Sequence, residues 1–279
     1  MQKLQPQWLK KRISCEPGFA FTKSVLAEFG INTVCQSARC PNIFDCFSKK
    51  RATFLILGDV CTRGCAFCCV RQGRPGEPDK DEPGRIAEAA AMLDLRYIVI
   101  TSVTRDDLAD GGSAQFVSVI NAIRNRLGKC IEIEVLTPDF KGSKADIKRV
   151  VEACPDIYGH NIETVPRLYR KIRAGADYQR SIGALKAAKE INPDLATKSG
   201  VMLGLGETEE EVIAVMRDLR SAGCDILSVG QYLRPSAGQV EVEEFIKPRV
   251  FLRFEKAGYS LGFKDVNSGV FVRSSWRKK

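Results

Sequence analysis

Histidine is almost missing from this chain of 279 residues, which carries a single one, His160. Zinc sites built from paired histidines are therefore excluded, and acid–base chemistry has little histidine to draw on. No apolar run approaches the roughly 18 residues that a membrane span needs. The opening MQKLQPQWLKKRI lacks the apolar stretch and small-residue cleavage site of a secretory signal. A soluble, cytoplasmic protein is the expectation. There is no internal repeat and no low-complexity linker, and the Pro/Gly-rich stretch 71–84 reads as a loop.

Charge and cysteine are plentiful. Lys plus Arg number 43 against 34 Asp plus Glu, a net +9 that favours an acidic partner, either nucleic acid or an acidic protein. With 44% apolar residues, a large core is within reach. The cysteines number eleven, and six of them fall between positions 35 and 68. Disulfides do not persist in a reducing cytosol, so such a cluster reads as metal or redox chemistry.

From residue 53 onward, short apolar runs alternate with helical patterns. Strands are predicted at Thr53–Leu57, Tyr97–Ser102, Ile131–Leu136, Ile157–Ile162, Thr197–Leu203 and Ile226–Gly230. Helices are predicted at Arg85–Leu93, Phe116–Leu127, Ala145–Val151 and Ile182–Glu190, and from Thr208, whose hydroxyl and Glu211 form a capping box. Val212, Val215, Met216 and Leu219 recur at helical spacing there, and Gly223 is the stop. Six such units imply an α/β fold, a partial (β/α)6 TIM-like barrel with its chemistry at the carboxyl ends of the strands. Residues 1–50 and 235–279 lie outside the alternation, as N- and C-terminal extensions on a barrel of residues 51–234.

The loop after the first strand reads Cys61-Thr-Arg-Gly-Cys65-Ala-Phe-Cys68. Clusters are normally held by four thiolates; three on one tight loop leave one iron of a 4Fe–4S cube open to a small molecule. Zinc is the alternative, but it prefers two close pairs or Cys/His sets that close a tetrahedron, and none follows here. A second triplet, Cys35-x4-Cys40-x5-Cys46, lies upstream and reads as a second cluster, with a zinc knuckle or three buried thiols as alternatives.

Both triplets together make the chain resemble the lipoyl synthases, enzymes of the radical S-adenosylmethionine type. The likeness runs from VCQSARCPNIFDCFSKKRATFLILGDVCTRGCAFC through RYIVITSVTRDDLADGG, IEVLTPDF, HNIETV, TKSGVMLGLGE and GQYLRPS to VRSSW, over residues 7–276. The resemblance implies two 4Fe–4S clusters. Cys61, Cys65 and Cys68 would ligate one, with S-adenosylmethionine on its open iron as the source of a 5′-deoxyadenosyl radical. Cys35, Cys40 and Cys46 would hold an auxiliary cluster, with Ser275 of Arg273-Ser274-Ser275 as its fourth ligand and Ser274 as its neighbour and rival. By the same resemblance that cluster would donate sulfur to carbons 6 and 8 of a protein-bound octanoyl-lysine. The implied partners are octanoylated lipoyl carrier domains (2-oxoacid dehydrogenase E2 subunits and the glycine cleavage H protein), a reductant such as ferredoxin or flavodoxin, and an iron–sulfur carrier protein. Neither nucleic acid nor membrane is expected.

Thr101 and Ser102 are candidates for the methionine amino group, Lys198 for its carboxylate, and Asn161 and Glu163 for the ribose hydroxyls. Loop capping or ion pairing is the alternative for each. The Gly204–Gly206 turn is a candidate for the adenine. His160 is expected to be a hydrogen-bonded barrel residue, and Cys15, Cys130, Cys154 and Cys224 structural. Two features depart from the family pattern: Cys69 beside Cys68, and Trp276 where tyrosine is common. A radical methylthiolase or nucleic-acid modifier would also carry two clusters, but no RNA-binding module or aromatic-interleaved basic motif is present.

Overall fold

The computed structural model describes residues 6–11 and 16–275, which divide into two compact units. Cys15 and Trp276 lie outside the described residues.

The first unit comprises residues 16–63 and 69–158. Its opening segment folds into three helices that the sequence pattern did not announce. Pro17, at the first position of α1 (Pro17–Glu28), lacks the N–H that a helix start would leave unpaired. Thr33 caps α2 (Val34–Ser37) by accepting the Gln36 N–H. The Thr22 hydroxyl donates to the Phe47 carbonyl at 2.7 Å, and Phe19 stacks on Phe44, so α1 and α3 (Ile43–Ser48) are pinned together.

Strand β1 (Thr53–Ile56) is buried along its whole length, as a strand covered on both faces must be. It stops one residue earlier than expected because Leu57 turns to φ +66°, and the Leu57 N–H is taken by the Glu82 carboxylate. Two short segments, β2 (Val60–Cys61) and β3 (Arg71–Gln72), bracket the thiol-rich loop as a parallel pair. Then follow α4 (Glu82–Met92), β4 (Tyr97–Ser102), α5 (Ser113–Leu127), β5 (Glu132–Leu136), α6 (Lys144–Glu152) and β6 (Ile157–Gly159). The strands β1, β4, β5 and β6 are neighbours in that order; β1 and β4 pair in parallel with Thr53 opposite Val99, and β4 and β5 with Tyr97 opposite Glu132. Strand β6 was expected to reach Ile162 but ends at Gly159, and Glu163 further on makes an isolated parallel bridge to Val201.

The second unit comprises residues 6–11, 64–68 and 159–275. It contains α7 (Tyr169–Ile172), α8 (Tyr178–Ile191), β7 (Ala196–Leu203), α9 (Glu209–Ser221) and β8 (Ile226–Gln231). The capping box of α9 forms as expected: Thr208 Oγ1 accepts the Glu211 N–H at 3.2 Å and Glu211 accepts the Thr208 N–H at 2.8 Å. After β8 the chain does not leave the alternation. It adds α10 (Pro248–Ser260) and a further parallel strand, β9 (Asp265–Gly269), paired to β8 with Leu227 opposite Val266. Among the described residues, β9 is a parallel strand in addition to the six expected ones.

Asp225 ties this unit together. Its buried carboxylate accepts from Lys189 Nζ at 2.7 Å, Lys264 Nζ at 3.0 Å and the Thr197 N–H at 3.2 Å, joining α8, β7 and the approach to β9. Burial raises the Asp225 pKa, yet these donors outweigh it and hold the carboxyl below its usual range. Among the described residues, no helix is long and apolar enough to cross a membrane.

Candidate active site

Cys35, Cys40 and Cys46 all lie in the first unit, on and around α2 and α3. Cys35 is buried and the other two half-buried. The Cys40 N–H donates to the Cys35 carbonyl at 3.0 Å and Ile43 N–H to the Cys40 carbonyl at 3.1 Å, so hydrogen-bonded turns carry the chain between the two helices. Burial pushes the Cys35 thiol up to about 12, Thr53 pulls the other way, and Cys40 and Cys46 push it further. The three sulfurs thus interact electrically. A bare Cys35 thiolate is disfavoured, and a cationic iron held here would supply the compensating charge.

Cys61 closes β2 in the first unit. Its sulfur accepts the Arg63 N–H at 3.4 Å and the Thr104 N–H at 3.3 Å. Two backbone amides are thus aimed at one sulfur. Arg63 was not singled out in the sequence, yet it is the most heavily engaged side chain of the loop. Its guanidinium donates two hydrogen bonds to Asp106, at 2.6 and 2.9 Å, and two to Asp139, at 3.0 and 2.7 Å. These bonds outweigh the cost of burial, so the group stays charged.

Cys65 and Cys68 belong to the second unit. There the Ala66 N–H donates to the Ile172 carbonyl at 2.9 Å and the Ala66 carbonyl accepts from Val240 N–H at 2.9 Å. Gln239 Nε2 donates to the Cys68 carbonyl at 3.2 Å. Among the described residues, no three His, Cys, Asp or Glu side chains converge to hold a single ion. A cube engages each thiolate on a different iron and does not require that convergence. Thiols without imidazole are the donor type of iron–sulfur ligation rather than of a Cys/His zinc site.

Among the candidate cofactor contacts, Thr101 and Ser102 close β4 and Asn161 and Glu163 lie beyond β6, whereas Lys198 lies inside β7 toward its amino end. In the first unit, the Thr101 hydroxyl donates to the Leu136 carbonyl at 2.8 Å, whereas Ser102 Oγ is buried without a hydrogen-bond partner. In the second unit, Asn161 Nδ2 donates to Glu163 Oε1 at 3.0 Å. Glu163 has φ +67°, and its N–H and carbonyl pair with Gly200 and Met202 of β7. Burial raises the Glu163 pKa, while Arg173 and Asn161 lower it. Lys198, on β7, is buried, and its carbonyl accepts the His160 N–H at 3.0 Å. His160 is fully buried with Nε2 3.4 Å from Arg173 Nη2, a hydrogen-bonded residue of the strand region as expected.

Gly204, at φ +97°, faces Gln231 Nε2 and the Glu244 carbonyl so closely that no Cβ fits. The C-terminal motif is anchored by Arg273, whose Nη1 donates to the Val272 carbonyl at 2.7 Å and the Gln231 carbonyl at 3.4 Å. Ser274 and Ser275 follow in a turn, half-buried. Cys224 is buried, as expected of a structural thiol, and burial pushes it up to about 12. Cys130 and Cys154 are exposed, so packing is not their role. Cys69 is half-buried.

Residues 55–219 match the model of the Radical SAM superfamily. The fold agrees. Methylornithine synthase aligns over 94% of this chain and 86% of its own, with a TM-score of 0.58 at 15% identity. Streptococcus suis SuiB bound to its precursor peptide aligns over 90% of this chain and 52% of its own, with a TM-score of 0.59 at 12% identity. Parallel strands alternating with helices, and a C-x3-C-x2-C loop after the first strand, define a partial-barrel α/β enzyme of the radical S-adenosylmethionine class. The finer assignment comes from curated relatives. A lipoyl synthase of Caldanaerobacter subterraneus subsp. tengcongensis is 53% identical over 272 residues, 98% of this chain and 95% of that relative. Another, from Caldicellulosiruptor saccharolyticus, is 52% identical over 276 residues, 99% of this chain and 96% of that relative. The chain belongs to the lipoyl synthases.

Proposed function

We propose that this chain inserts two sulfur atoms, at carbons 6 and 8, into an octanoyl group carried on a lysine of a lipoyl carrier domain, and that the two thiol triplets divide the work. Cys61, Cys65 and Cys68 are assigned to the cluster that meets S-adenosylmethionine, and Cys35, Cys40 and Cys46, with Ser275, to the auxiliary cluster. When bound, these groups supply a 5′-deoxyadenosyl radical able to break unactivated C–H bonds, and the sulfur that replaces them.

The residues of the chain prepare for this chemistry. Amides of Arg63 and Thr104 stabilise negative charge on the Cys61 sulfur. The unpartnered Ser102 hydroxyl is suited to receive the methionine amino group, since Thr101 already bonds Leu136. Asn161 and Glu163 form a hydrogen-bonded pair suited to ribose hydroxyls, and Lys198 is assigned to the carboxylate. The oxygen of Ser275 is a harder donor than thiolate, which suits a ligand released as the cluster is dismantled. Residues 1–50 and 235–279 then act as extensions that bring the auxiliary ligands to a catalytic segment at 51–234. Octanoylated E2 subunits or H protein are proposed as carriers, ferredoxin or flavodoxin as reductant, and an iron–sulfur carrier as the source of new clusters. The cytoplasm is the proposed compartment.

The observation that carries this assignment is the pair of separate three-cysteine sets in a chain of this family. Its test is a mass measurement. Reconstituted enzyme, reductant, S-adenosylmethionine and an octanoyl-lysine peptide are expected to yield a peptide with two added sulfurs. A product with methylthio groups, or no sulfur at all, overturns it.

A further inference from the structure

Of the two amides on the Cys61 sulfur, the Arg63 N–H is local and needs only a turn. The Thr104 N–H comes from 43 residues away, beyond the end of β4, so something must hold that register. Two side chains of the thiol-rich loop do so. The Thr62 N–H and hydroxyl both donate to the Thr104 carbonyl, at 3.0 and 2.9 Å, and the same hydroxyl accepts the Asp106 N–H at 3.1 Å. One residue on, Arg63 grips Asp106 and Asp139 with four bonds, its side chain only 6% exposed and that of Asp139 fully buried. All these residues belong to the first unit.

We propose that Thr62 and Arg63 are positioning residues that lock the Thr104 amide onto the Cys61 sulfur, and that this amide sets the reduction potential of the cluster bound there. The inference rests on the assignment of Cys61 as a cluster ligand. The physical basis is that reduction adds negative charge to the cube and its sulfurs. An N–H donor to a ligating sulfur stabilises the reduced form and raises the potential. Losing it makes the electron harder to deliver. A fork of five donors matched to two carboxylates also explains why arginine serves here: lysine, with one ammonium, can satisfy one carboxylate well but not both in plane.

The test uses the full chain with both clusters reconstituted. The part of the reduced-cluster resonance that responds to S-adenosylmethionine is titrated against potential. Thr62→Val removes the hydroxyl at nearly constant shape, Arg63→Gln removes the charge, and Arg63→Lys keeps it. Thr62→Val and Arg63→Gln are expected to lower the reduced-to-oxidised ratio at a fixed poise about tenfold, which is about 59 mV for one electron. Arg63→Lys should fall between them and the parent. An unchanged midpoint in Thr62→Val and Arg63→Gln overturns the proposal, including the case where iron content or melting temperature falls but the remaining signal titrates as before. If Arg63→Gln fails to fold, the Thr62→Val midpoint decides alone. Cys61→Ala separates the two levels: if it keeps the S-adenosylmethionine-responsive signal, the ligand assignment itself is wrong.

Discussion

Asn161 Nδ2 donates to Glu163 Oε1 across 3.0 Å just beyond β6, in a turn where Glu163 adopts φ +67°. A left-handed backbone costs a non-glycine residue about 1 kcal/mol or more. Here it is sustained by two hydrogen bonds to β7: Glu163 N–H to the Gly200 carbonyl at 2.9 Å, and Met202 N–H to the Glu163 carbonyl at 2.8 Å. The pair is thus prepared at a strand's carboxyl end, where barrels of this kind keep their chemistry.

Replacing Glu163 by Gln should weaken S-adenosylmethionine binding about tenfold, or about 1.4 kcal/mol, by exchanging one acceptor oxygen for an amide donor. Stability should move the other way. Burial raises the carboxyl's pKa, so its contribution to stability is full below the usual carboxylate range and is lost as pH rises through the raised value. The melting temperature of Glu163→Gln relative to the parent should therefore be higher at pH 8 than at pH 5. An equal difference at both pH values would contradict the assignment of burial as the dominant cause.

Asp225 has the opposite sign. Its pKa is held low, so the stability it confers is present above the usual carboxylate value and is lost as pH falls below about 4. Asp225→Asn should cost about 2 kcal/mol at neutral pH, since Lys189 loses its 2.7 Å partner. Denaturant melts at pH 7 and pH 3 measure this. The gap between variant and parent should narrow in acid; a gap that persists would refute the ion-pair account.

The C-terminal motif offers a separate handle. A Cβ at Gly230 would stand 2.2 Å from the Val272 carbonyl, beside the Arg273 anchor. Gly230→Ala should therefore displace residues 272–275, at a stability cost of about 1–3 kcal/mol from overpacking. If Ser275 ligates the auxiliary cluster, the variant should still cleave S-adenosylmethionine but insert sulfur poorly. Product analysis for 5′-deoxyadenosine and for lipoyl peptide reads the two steps separately. Equal loss of both would count against that role for the motif.

Elements that advertise themselves through local chemistry were legible in the sequence. Apolar strands such as Tyr97–Ser102 and the Thr208–Glu211 capping box belong to this kind. Strand β9 was not legible because Asp265, Asn267, Ser268 and Gly269 leave Val266 as its one apolar residue, and it is parallel pairing with β8 that makes it a strand. The first helices escaped notice for a related reason: α1 has only a weak apolar stripe and relies on Thr22 and Phe19 packing against α3. Arg63 carries no local signal because its partners lie 43 and 76 residues away. Likewise, nothing in the sequence distinguishes Thr101, committed to Leu136, from Ser102, left unpaired.

The division of labour between the triplets is tested most directly by counting iron and products in two full-length variants prepared without oxygen. One replaces Cys35, Cys40 and Cys46 with alanine; the other replaces Cys61, Cys65 and Cys68. The parent should hold about eight irons per chain and each variant about four. The first should still release 5′-deoxyadenosine without making lipoyl product, and the second should do neither. A parent with only four irons, or a first variant that still inserts sulfur, would contradict the account.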